Sequence, residues 1–426
     1  MRTGLAIGVT FAAIGVIAPT VYWSAGSRAT AAAQVQGAPG APGANVQKVD
    51  IGDYEPVVPW PKPLPDTDLP HAGWTWGSGA GVFAESPDKV WVQQRGEIEL
   101  PPGAAPWTCA CLVNPRRTNT GRRDYSGAPY PYKMRRHHLL FAVDREGNTI
   151  EEWLQWDKYM APDRGTGLGE LGRGPHKILI SPYDPEKRVW IVDDDMHEIN
   201  IFTHDGKTKL KTMGVRGVPG RGPNNFNRPT DIAWLPDGTF FVADGYAGVR
   251  VAKFDRNFNF IKDWGNTPKD PEHPGPAEFW SVHSIGISRD RRLFVADREH
   301  HRMQVFDEDG TFLTMWPTGY NSSVLAHIVT NDDHVWVADW TTDRLVKYDL
   351  EGHYILDIGG HGALPGQFDG VHQISVDSDL NLYVTEVAND RSQKFRPKPN
   401  ADRNRLVGLP AVVNPTRPRP AASRSR

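Results

Sequence analysis

Histidine recurs at one point of a repeated pattern in this 426-residue chain. It stands in GPHKI (His176), SVHSI (His283), LAHIV (His327) and GVHQI (His372), and threonine takes the same place in RPTDI (Thr230). In chain order, an acidic residue ending the next apolar run follows 17, 14, 14, 12 and 14 residues later, so the positions are read as equivalent. Three converging imidazoles leave coordination positions open, the donor set of a catalytic Zn²⁺. Fe²⁺ or another divalent cation suits the same donors. One such histidine would be read as a backbone-bonded core residue; several at equivalent points favour a metal. Tyr246 follows Asp244-Gly245, and Arg298 follows Asp297. A tyrosine close to a metal and an arginine can serve as a base. An arginine can hold a carboxylate. The plainer readings are a turn aromatic for Tyr246 and an ion pair with Asp297 or Glu299 for Arg298.

The elements that must position these residues are short strands. The stretch from Ser281 to Trp316 reads as four strands with three turns, the last turn marked by Asp309-Gly310. Such a unit cannot bury its faces alone and needs copies beside it. Its second strand recurs as WIVD (190–193), FVAD (241–244), FVAD (294–297), WVAD (336–339) and YVTE (383–386). Nine or ten residues after each acid comes Phe202, Phe254, Phe306, Tyr348 or Phe395. WVQQ (91–94) opens a degenerate first copy that resumes at 139–144, which makes six. Six four-stranded units without long helical periodicity predict an all-β fold, a six-bladed β-propeller. First strands line the channel of a propeller, so His176, His283 and His372 fall in alternate blades, about 120° apart. His327 falls in the fifth blade of the same ring, behind the three ligands.

Composition bounds the rest. A 39% apolar fraction supports a core, and a net charge of −3 gives no reason to expect a nucleic-acid partner. Residues 1–33 combine Arg2, an uncharged apolar run over 4–23 and small residues at 29–33. That pattern predicts a signal peptide or an N-terminal membrane anchor, and so an exported body, periplasmic or extracellular. Residues 34–70 read as a Gly/Pro/Ala-rich linker or wrapping segment, 71–405 as the propeller, and 406–426 as a disordered basic tail. An Arg-rich insertion over 113–137 interrupts the first copy and reads as solvated surface. Cys109 and Cys111 form a C-x-C pair that suits free or structural thiols better than a disulfide. A monomer is expected.

FNRPTDIAWLPDGTFFVADGYAGVR and FWSVHSIGISRDRRLFVADREHHRMQVFD resemble the peptidyl-α-hydroxyglycine α-amidating lyase family of NHL-repeat propellers, over roughly residues 74–400. The resemblance implies that His176, His283 and His372 hold Zn²⁺, that Tyr246 is the catalytic tyrosine, and that Arg298 matches the family's ADRE arginine. It implies cleavage of a carbinolamide N–C bond, releasing an amide and glyoxylate. The departures are specific. Gln373 stands where the family has an Asp serving a structural Ca²⁺, which counts against that ion, and Ala247 replaces a cysteine. No first-blade arginine matches near 73–79; Arg95 in VQQRG occupies the repeat position of Arg298 and is the candidate substitute for binding substrate. The chain contains no copper-monooxygenase segment, so nothing in it makes the hydroxyglycine substrate. The alternative is a non-catalytic NHL-repeat propeller binding a protein or glycan partner, which would have no need of a His/Tyr/Arg set.

Overall fold

The computed structural model describes residues 49–104, 133–161 and 174–414. The expectations for 1–33, for Cys109 and Cys111 and for most of the 113–137 insertion lie outside these residues. The described residues form six four-stranded antiparallel sheets and one three-stranded sheet. The innermost strands are Gly79–Ser86, Pro175–Ile180, Pro229–Trp234, Val282–Ile287, Val324–Val329 and Val371–Val376. Each packs against the next, and the sixth packs against the first, so the sheets close into a ring. This is the propeller that the repeats predict.

Side-chain pattern explains the closure. In the fourth sheet, Phe294, Ala296, Met303 and Val305 are fully buried against Val324, Val335, Val337 and Tyr348 of the fifth. Each large apolar side chain removed from water in this way contributes about 1.5–3 kcal/mol. The opposite face, with Ile285, Leu293 and Val295, packs on Phe241, Ala243 and Val251 of the third sheet. A sheet buried on both faces cannot be the end of a stack.

In the third, fourth and sixth sheets the repeated acid ties the sheet together. Asp297 accepts hydrogen bonds from the Trp280 backbone (3.0 Å) and from Arg302 Nε (3.0 Å). Asp244 does the same with Asn227 and Arg250, and Glu386 with Asp369 and Arg391. The acid at the end of the second strand therefore fixes the chain just before the first strand and the arginine that opens the third. That is the segment from which the site residues project.

Two boundaries differ from the sequence reading, and a third is made definite. Tyr54–Val57, inside the segment read as linker or wrapping chain, is a strand paired antiparallel to Arg391–Pro397 and is the outer strand of the sixth sheet. The N-terminal segment thus completes a sheet that the C-terminal repeat leaves one strand short. The described part of the predicted disordered tail is packed: Leu406 and Val407 are buried with Tyr54, and Val413 is buried with Leu293 and Phe306. Its apolar LVGLPAVV run overrides the Pro/Arg composition that suggested disorder. The end of the basic insertion is also ordered. Met134–Arg135 pairs with Glu97–Glu99, which pairs with Trp74–Trp76, and His137 and His138 are buried.

Candidate metal centre

The innermost strands share an irregularity that builds the site. Pairing with the second strand skips one residue in every sheet: Ala80, His176, Thr230, His283, Leu325 and His372. Such a bulge leaves one residue outside the ladder and re-aims its side chain. The bulged residues alternate around the ring, histidine in sheets two, four and six, and another residue in one, three and five. Each histidine donates through Nδ1 to the bulged carbonyl of the following sheet: His176 to Thr230 (3.0 Å), His283 to Leu325 (2.7 Å) and His372 to Ala80 (2.7 Å). A carbonyl only accepts, so the proton of each neutral ring sits on Nδ1. Every Nε2 is then a lone pair facing inward.

The three rings are buried, and one ligand atom from each lies within 4.8 Å of the others. Burial first holds all three well below the ordinary histidine range, helped by the other two imidazoles and Arg95 at His176, by Arg298 and His372 at His283, and by Arg95 and Arg298 at His372. His372 Nε2 has no hydrogen-bond partner among the described residues. A buried lone pair left unpaired beside two more is costly without an ion, and three neutral imidazoles oriented from behind are the donor set a divalent cation takes. The residues fit a metal.

Tyr246 lies over this cluster. Its hydroxyl is 2.7 Å from His283 Nε2 and 3.3 Å from His176 Nε2. Gly245 makes that approach feasible: a Cβ there would stand 1.8 Å from the Val282 carbonyl oxygen and 2.7 Å from Thr230 Oγ1. The backbone N–H groups of Gly245 and Tyr246 both donate to the Arg228 carbonyl. Burial raises the Tyr246 pKa, and the charges of Arg298, Arg95 and Arg228 oppose the rise.

The charges of Arg298 and Arg95 help to lower the pKa values of the three histidines. Arg298 Nε donates to Ser323 Oγ (2.9 Å) and lies 3.3 Å from Glu299, whereas Asp297 is taken by Arg302. Arg95 is buried, and its Nε has no partner among the described residues. A desolvated guanidinium with a spare donor is suited to an anion.

His327 does not occupy the ring position. Leu325 does, two residues earlier, and the 12-residue spacing had already marked the offset. His327 packs over Gly286, its backbone donates to Ser284 Oγ, and burial with the nearby Lys177 lowers its pKa to about 3. The sequence reading also missed Arg228 and Asp194. Arg228 stacks on the Tyr246 ring at 4.2 Å and pairs with buried Asp194. Asp194 follows Asp193 as Arg298 follows Asp297, so the same repeat position points to it.

An NHL repeat model matches residues 279–306. Peptidyl-alpha-hydroxyglycine alpha-amidating lyase 1 of Drosophila melanogaster is 30% identical over 243 residues, covering 52% of this chain and 44% of that protein. Peptidyl-glycine alpha-amidating monooxygenase A of Xenopus laevis is 36% identical over 142 residues, covering 33% of this chain and 15% of that protein. The chain thus spans less than half the length of either relative. A virginiamycin B lyase structure from Staphylococcus aureus aligns over 75% of this chain and 84% of its own, with 13% identity and a TM-score of 0.42. The chain is a β-propeller that carries an NHL repeat at residues 279–306 and is similar in sequence to peptidyl-alpha-hydroxyglycine alpha-amidating lyase 1.

Proposed function

We propose that the chain is a metal-dependent lyase that cleaves the N–C bond of a carbinolamide, releasing an amide and glyoxylate. The observation that carries this reading is the Tyr246 hydroxyl, 2.7 Å from His283 Nε2 and 3.3 Å from His176 Nε2, within the electrostatic influence of Arg298 and Arg95. His176, His283 and His372 would hold the metal, through Nε2. A divalent cation bound there supplies Lewis acidity at the substrate hydroxyl.

The chain's own groups account for the remaining steps. Arg95 and Arg298 bind and orient the substrate carboxylate. Tyr246 reacts as the phenolate, which the charges of Arg298, Arg95 and Arg228 favour against burial and a cation held by the histidines would favour further; its Oη takes the hydroxyl proton as the carbinol carbon becomes the aldehyde of glyoxylate. The C–N bond breaks with its electron pair on nitrogen, which is protonated to give the amide. The proton lost by oxygen is balanced by the one gained by nitrogen. Ser323 and Glu299 hold Arg298, and Asp194 holds Arg228 against the Tyr246 ring, so the base is positioned before substrate arrives.

The test is release of glyoxylate and benzamide from α-hydroxyhippurate by purified, metal-restored protein. Tyr246→Phe is expected to lower turnover by about 10²–10⁴-fold. Each of His176→Ala, His283→Ala and His372→Ala is expected to lose activity together with bound metal. No release at high protein concentration would overturn the lyase reading and leave a binding propeller.

A further inference from the structure

A second cluster of ligating side chains lies apart from the central ring in sequence and shares no residue with it. Glu97 Oε1 is 3.1 Å from His71 Nε2, 3.1 Å from His137 Nδ1 and 2.8 Å from His138 Nδ1. His137 Nδ1 and His138 Nδ1 are 3.0 Å apart. One ligand atom from each of the four residues lies within 4.8 Å of the other three, and all four residues are buried. All come from the three-stranded sheet that interrupts the first repeat. His71 precedes Trp74–Trp76, Glu97 opens Glu97–Glu99, and His137 and His138 follow Met134–Arg135.

The far nitrogens decide what the near ones offer. His137 Nε2 lies 2.9 Å from Asp68 Oδ1, and His138 Nε2 lies 2.8 Å from Glu152 Oε1. An ionised carboxylate only accepts, so both Nε2 atoms carry protons. If both rings are neutral, both Nδ1 atoms are lone pairs, 3.0 Å apart, with Glu97 Oε1 between them and no donor from either. If both rings are charged, two N–H groups meet head to head inside the protein. Carboxylates that orient imidazoles from behind, with the free nitrogens converging on one point, are the usual outer support of metal-ligating histidines. Glu97 is oriented in the same way, its second oxygen accepting from Arg135 Nε at 2.5 Å while that guanidinium stacks over Trp74.

We infer that His71, Glu97, His137 and His138 form a second transition-metal site, a closed set of three nitrogens and one oxygen that takes Zn²⁺ or a similar divalent ion. Four buried protein ligands leave no open position, so this site is structural. It ties the segment before the first repeat, the second strand's exit and the return of the insertion into one knot. Without an ion, the competing arrangement has His138 doubly protonated between Glu97 and Glu152.

The test uses the full chain with His176→Ala, His283→Ala and His372→Ala combined, dialysed against Zn²⁺ and assayed for bound metal. One equivalent per chain is expected to remain, and adding Glu97→Gln and His138→Ala should remove it. In the background with the central histidines intact, Glu97→Gln with His138→Ala should reduce bound zinc from two equivalents to one. That second measurement stands if the combined variant does not fold. A folded central-site variant that holds no zinc, or zinc content unchanged by Glu97→Gln with His138→Ala, would overturn the inference. Loss of one of two equivalents from the central-site variants bears on the proposed lyase and leaves this site standing.

Discussion

Replacing Gly245 with alanine isolates the geometry on which the proposed chemistry depends. The added methyl group would stand 1.8 Å from the Val282 carbonyl oxygen and 2.7 Å from Thr230 Oγ1. Val282 immediately precedes His283 in the innermost strand of the fourth sheet and is itself in the ladder, so it cannot retreat freely. The loop must therefore move by about 1.5 Å to restore ordinary van der Waals separation. Tyr246 is the next residue, and its hydroxyl has only 2.7 Å to His283 Nε2. A misplacement of about 1 Å costs roughly 10²-fold in rate, so kcat for α-hydroxyhippurate should fall by at least that factor. Overpacking of this kind costs about 1–3 kcal/mol of stability, which leaves the propeller folded. Metal content should change little, because His283 and His372 are oriented by the Leu325 and Ala80 carbonyls, which the added methyl group does not meet. Glyoxylate release, metal analysis and urea denaturation on the same preparation separate these effects. A Gly245→Ala protein with undiminished kcat would refute the assignment of Tyr246 as the positioned base.

Further outcomes follow from the same structure. Arg298→Lys keeps a charge but loses the planar fork, and hydrogen bonds to charged groups contribute about 1.5–3 kcal/mol; kcat/KM for a carboxylate substrate should fall roughly tenfold to a hundredfold while a neutral analogue is little affected. Asp297→Ala leaves the Arg302 guanidinium buried without its carboxylate, so urea denaturation should show a loss of about 3–5 kcal/mol. Ending the chain at residue 405 removes Leu406, Val407 and Val413 from the cores they fill; at about 1.5–3 kcal/mol for each side chain, the thermal midpoint should drop markedly, whereas ending it at 414 should keep it.

The parts of this molecule that repeat were legible, and the parts that do not repeat were not. An imidazole 14 to 17 residues ahead of a strand-ending acid, in alternate repeats, marked His176, His283 and His372, because the ladder geometry that aims them is the same in each sheet. The fifth sheet misled because its bulged residue is Leu325, which carries no chemical mark, while His327 nearby does. Tyr54–Val57 was hidden by its proline-rich neighbours, and its partner strand is more than three hundred residues away. The cluster at Glu97 had no spacing to read. Its four members come from three separate segments, which the three-stranded sheet brings together.

The hydrogen bond from His372 to the Ala80 carbonyl has a consequence for how the ring holds together. It joins the last sheet to the first, the one junction that sequence-adjacent pairing does not make. His372 is therefore aimed correctly only once the circle has shut, and an open array of the same sheets would lack the third member of the site. Any ion that prefers the converged imidazoles must then favour the shut circle by the same free energy. Such an ion acts as a clasp on the seam, and amide hydrogens along Val371–Val376 and Gly79–Ser86 should exchange faster when it is chelated away, ahead of those in the third and fourth sheets.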